Sequence, residues 1–184
     1  MHFIYCFFNI FCLFVVLALC IEMYICIMKK YSTSDAGINP HIKTRMVYCF
    51  AALLVFIGGV AIYLFFRDTG SLVLFNFLPR PLFLESLSVS FRPQTMPGYL
   101  FIYNLPHGLW CLSGLMVIRA IWLEDIKWRA IYGGTFLVII SVLEISQISQ
   151  ARNGTFDVLD IVFYVFFAFV ESMIYIKFIR RGIL

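Results

Sequence analysis

"EISQISQARNGTFDVLD", residues 144–160, is a polar interruption between two apolar runs, and its reading decides what kind of chain this is. Glu144 and Gln147 are three apart and share a helix face, with Gln150 a further turn along. The helix must stop near "ARNG", because Asn153 and Gly154 tolerate the left-handed backbone that a helix stop or tight turn requires. A second helix restarts near Asp157. Asp160, Tyr164 and Glu171 then follow at spacings of four and seven, which puts them on one stripe. The stretch reads as a helical hairpin whose two polar faces can meet.

The surroundings are too apolar for water. With 62% hydrophobic and 13% charged residues over 184 positions, the chain has more apolar surface than one small soluble core could cover. A membrane span needs roughly 20 mostly apolar residues to cross roughly 30 Å of hydrocarbon. Five stretches qualify: about 3–28, 46–66, 103–122, 131–148 and 161–178. None alternates as barrel strands do. The expected fold is an all-α integral membrane protein, one polytopic domain over 1–184, built as a bundle of about five transmembrane helices.

The first run does not read as a secretion signal, because its positive charge, Lys29 and Lys30, follows the apolar stretch. Lys43, Arg45, Lys127, Arg129, Lys177, Arg180 and Arg181 fall on the same side, while Arg67, Arg80, Arg92 and Arg152 on the other side are accompanied by acids. Basic residues at span ends mark the cytoplasmic face, so the amino end is expected outside and the carboxyl end in the cytoplasm. The net charge of +4 does not indicate nucleic acid, since these cations sit at membrane boundaries, where they meet lipid headgroups. Six cysteines fall inside predicted spans with no C-x-x-C pair, so no cysteine metal site or disulfide framework is expected. The long connection over 67–100, broken at Pro79, Pro81 and Pro93, is expected to lie on the outer face with short interfacial helices or a re-entrant segment.

The polar residues of the hairpin carry two readings. In the structural one, Asp157 caps the last helix and Asp160 sits near its third position, where negative charge suits the helix dipole. That does less for Glu144, an acid a turn or two below the interface, which costs roughly 2.5 to 3.5 kcal/mol unless paired or hydrated. Arg152 is its nearest cation in sequence, with Arg67 and Arg92 available from the preceding loop. In the functional reading Glu144, Gln147, Arg152, Asp157 and Asp160 form one outward-facing ligand-binding cluster, which Arg67, Arg92 and His107 are candidates to join. "LPHGLW" is expected to open a span at Pro106, with Trp110 as interfacial anchor and His107 a solvated neighbour of the cap. Gly58, Gly59 and Gly134 are expected at close helix contacts, and Arg119 is expected to snorkel to the cytoplasmic interface.

The pattern E-x-x-Q, an arginine in a short turn and "GTFDVLD" opening a final apolar helix resembles the signature of the VanZ-like family, named for a protein of teicoplanin resistance. Glu144, Gln147, Arg152, Asp157 and Asp160 fall on it; the likeness covers about 140–178 and, before that, only the number of spans. The family continues with asparagine and glycine where this chain has Tyr164 and Phe167. The resemblance implies a small helical protein of the bacterial cytoplasmic (inner) membrane and no established chemistry. Three functions suit the cluster. A protein binding or modulating a lipid-linked or anionic envelope component needs only the pocket and ranks first. An enzyme acting on a lipid or polyprenyl phosphate would use His107 or Asp157, without a recognisable catalytic motif. A small transporter or structural subunit of a membrane complex ranks last. Membrane lipids and a lipid-linked precursor are the expected partners, with a protein partner left open; no cofactor and no metal are expected.

Overall fold

A computed structural model describes residues 40–66, 94–147 and 157–180. All elements among them are helical: α1 (Pro40–Phe66), a short α2 (Met96–Tyr99) running through a π-helical turn (Leu100–Asn104) into α3 (Leu105–Ile121), α4 (Ile126–Ser146) and α5 (Val158–Arg180). Among the described residues four spans are long and apolar enough to cross a membrane: His41–Phe66, Met96–Ile121, Ile126–Ser146 and Val158–Lys177. The expected first span and the loop over 67–93 lie outside the described residues.

The spans begin earlier than apolarity alone places them, because the helices run on into polar caps. The third expected span starts at Met96, where the Thr95 hydroxyl accepts from the Gly98 N–H, and not near 103. α4 starts at Ile126, capped by Asp125, whose carboxylate accepts from the N–H groups of Lys127 and Trp128 at 3.0 and 3.2 Å. α1 starts at Pro40, and its first turns carry Arg45 to a salt bridge with Glu124 at 3.2 Å.

Consecutive spans alternate in direction. At one end Arg45 meets Glu124 and the Arg129 guanidinium lies over the Tyr175 ring; at the other Phe66 packs edge-on against Phe101 and Tyr99 reaches Asp157. α1 buries Tyr48, Cys49, Ala52 and Phe56 and exposes Val47, Phe50, Leu54 and Ile57, two helical faces that match a protein side and a lipid side. α3 is the spine: α1 and α5 pack along it, while α4 leans more lightly on α3 and α5. Tyr48, Cys49, Ala52, Leu112, Met116 and Phe167 form the main core, and the Ser113 hydroxyl donates to the Ala52 carbonyl at 3.0 Å.

Three small or charged residues sit differently from their sequence-based placement. Gly59 is a close contact, since a Cβ there would meet the Trp110 indole at 2.7 Å, whereas at Gly58 and Gly134 a Cβ would meet nothing within 4 Å among the described residues. Trp110 accordingly packs against the α1 face beside Tyr63. Arg119 does not snorkel: it is 7% exposed, its guanidinium donates through Nε and Nη2 to both oxygens of Glu171, itself 4% exposed, and it lies over the Tyr175 ring at 3.9 Å. A partner on the neighbouring helix makes burial cheaper than reaching water.

Gly108 is a close approach between α3 and α5, where any Cβ would overlap the Phe167 ring. Gly108→Ala is therefore expected to lower unfolding stability in detergent by about 1 to 3 kcal/mol, the usual cost of overpacking. Phe167→Leu in the same chain should return part of that loss; strict additivity of the two changes would contradict the contact.

Candidate functional site

The site lies at the end of the bundle opposite Arg119, and its geometry starts from Pro106. A proline inside a helix lacks the N–H that would bond the carbonyl four residues back and crowds that carbonyl with its ring. The helix does not start there, as its sequence suggests. It widens before the proline, with the Leu105 N–H bonding the Leu100 carbonyl five residues back. This π turn buries Ile102 and Asn104 together.

Asn104, 1% exposed, reaches across to the start of α5. Its Nδ2 donates to Asp157 Oδ2 at 3.1 Å and to Asp160 Oδ1 at 2.8 Å. The Tyr99 hydroxyl donates to the same Asp157 Oδ2 at 3.1 Å. Asp157 Oδ1 accepts from the Leu159 N–H at 2.9 Å, so Asp157 caps α5 as its position suggests while also accepting from two side chains of the Met96–Ile121 span. The Asn104 Oδ1 is buried with no hydrogen-bond partner among the described residues.

Asp160 faces a second group. Ligand atoms of His107 on α3, Glu144 on α4 and Asp160 on α5 all lie within 4.8 Å of one another. Glu144 is 1% exposed, although α4 buries only this residue and Ile140 along its length. A helix that otherwise turns its side chains outward directs its one acid into the bundle. His107 is half-buried and packs against Trp110, so it belongs to this cluster and is not a solvated neighbour of a cap. Gln147 is half-buried at the C-cap of α4, one turn beyond Glu144.

The fold thus brings together Glu144, Asp157, Asp160 and His107 of the expected cluster. Arg67, Arg92 and Arg152 lie outside the described residues. Among the described side chains every lysine and arginine lies toward the opposite end, so this part of the site is acceptor-rich and suits hydroxyls, amines or cations. Sequence reasoning missed Asn104 and Tyr99. Asn104 could have been found as a lone amide in an apolar span, a position where an amide usually bonds a neighbouring helix.

Substitutions at Asp157 separate its two jobs. Tyr99→Phe removes one exposed hydrogen bond and should cost about 1 kcal/mol or less. Asp157→Ser keeps the cap but is too short to hold Asn104, and Asp157→Ala loses both; unfolding in detergent should rank alanine below serine by roughly 1 kcal/mol. Equal loss in the two variants would mean that the cap contributes nothing.

No protein-family model matches the chain, and neither a curated protein nor a solved structure does. Its function is to be read from its own side chains.

Proposed function

We propose that this is a multi-pass protein of the bacterial cytoplasmic membrane that binds the headgroup of a lipid-linked or anionic envelope component at the Asn104–Asp160 end, in the manner the VanZ-like signature suggests. The observation that carries this reading is convergence: polar side chains from three spans, Asn104 and His107, Glu144, and Asp157 and Asp160, meet at one end of the bundle. Acidic and amide groups inside spans are costly and mark binding or transfer sites. The carboxylates hold hydroxyls of a headgroup, and Arg67, Arg92 and Arg152 are the residues assigned to its anionic part.

The orientation proposed is amino end outside and carboxyl end cytoplasmic. Its support is that Lys43, Arg45, Lys127, Arg129 and Lys177 belong to the end away from the cluster, which makes the cluster face outward. The position at which the family pattern has asparagine is Tyr164 here, buried in the core, and Asn104 supplies an amide to the aspartates from the neighbouring span. The family pattern has glycine where Phe167 stands, and the glycine of this contact is Gly108 on α3.

A second reading, an enzyme acting on a lipid or polyprenyl phosphate, is favoured by the nearness of the His107 imidazole to two carboxylates, an arrangement suited to moving a proton. One experiment addresses both. The full chain in phosphatidylcholine nanodiscs is titrated with a polyprenyl phosphate and with phosphatidylglycerol, and released inorganic phosphate is measured in parallel. Saturable binding is expected, weakened about tenfold, or about 1.4 kcal/mol, by Glu144→Gln and by Arg152→Ala. Binding unchanged in both variants would sink the headgroup reading, and phosphate release lost in His107→Ala would move the assignment to an enzyme.

A further inference from the structure

We infer that His107, Glu144 and Asp160 together hold a divalent first-row transition-metal ion of the Zn2+ or Mn2+ kind, which links the three spans that carry them. One imidazole and two carboxylates are a mixed nitrogen and oxygen donor set; the imidazole favours such ions over Mg2+ or Ca2+, which take oxygen ligands. Donor atoms bound at about 2.1 Å around a tetrahedral ion stand roughly 3.4 Å apart. The three side chains here offer donor atoms all within 4.8 Å of one another, so rotamer adjustments of about 1 Å close the set.

Two further observations point the same way. Glu144 and Asp160 are 1% and 7% exposed on facing spans, so their carboxylates are held beside the His107 imidazole inside the bundle and not spread into solvent. Asp160 is also held from behind by the Asn104 amide at 2.8 Å, the kind of hydrogen bond that orients a ligating carboxylate. Sequence pattern alone finds no such site, because its ligands stand at 107, 144 and 160 on three separate helices.

The ion also deepens the headgroup reading. An acceptor-rich cluster repels an anion, whereas an ion with positions left open by its three protein ligands attracts one. Metal capture is independent of the headgroup reading; the bridging role rests on it.

The test uses the full chain in detergent, stripped with a chelator, dialysed separately against Zn2+ and Mn2+, and assayed by elemental analysis and by thermal unfolding. About one ion per chain is expected for at least one metal, with a rise in Tm that chelator reverses. His107→Gln should abolish both the ion and the rise in Tm, Glu144→Gln should do the same, and Asn104→Ala should weaken binding about tenfold. If Glu144→Gln does not fold, His107→Gln and the metal-dependent Tm of the unaltered chain still decide. No ion bound by the unaltered chain would overturn the proposal and leave a proton or an arginine as the neutralising charge. An ion retained in His107→Gln would overturn it too, placing the metal elsewhere, for example on the cysteines. If the ion binds and polyprenyl phosphate binds equally with chelator present, the metal site stands and the bridge does not.

Discussion

The amide of Asn104 is the contact on which the polar end of the bundle depends. Hydrocarbon offers no hydrogen bonds, so each polar group inside a span has to be satisfied by the protein itself. One side-chain amide holds Asp157 and Asp160 together, and with them the first turn of α5 against the middle span. Asp160 so held is the residue that comes close to His107 and Glu144. Asn104 is inward because the helix is widened before Pro106. A backbone defect forced by one proline thus sets the site's geometry, a recurrent use of π turns.

The same constraint operates at the other end, with a different solution. There Arg119 and Glu171 neutralise each other directly, and Tyr175 covers the guanidinium face. α3 and α5 are therefore fastened near both ends by polar contacts and between them by the close fit of Phe167 on Gly108. α4 is attached otherwise. Ile140 and the half-buried Phe136, whose ring lies where a Cβ on Gly114 would be, give it a modest apolar seat, and Glu144 is its one buried charge. What Glu144 meets inside the bundle therefore also bears on how firmly α4 is held.

Much of this was legible in the sequence. Span number over the described residues, the stripe of Asp160, Tyr164 and Glu171, the cap at Asp157 and the cost of an acid at Glu144 all follow from spacing and from the price of charge in lipid. What spacing does not contain is the partner. Asn104 and Asp160 are 56 residues apart, and Arg119 and Glu171 are 52 apart, so only the packing of α3 on α5 makes them neighbours. A lone arginine near a span end can reach water, which is why sequence alone puts Arg119 at the interface; Glu171 on an adjacent helix removes the need. Apolarity puts the span starts late, because it fades before the helix does, and capping by Thr95 and Asp125 carries the helix further.

The most direct measurement is a double-mutant cycle between Asn104 and Asp160, each replaced by alanine singly and together, with unfolding free energy measured in detergent for all four chains. A buried amide bonded to a carboxylate should give a coupling of about 1.5 to 3 kcal/mol, the double variant losing less than the two single losses combined. Additivity within about 0.5 kcal/mol would mean that the two side chains do not interact and that the polar end of the bundle is not organised around Asn104.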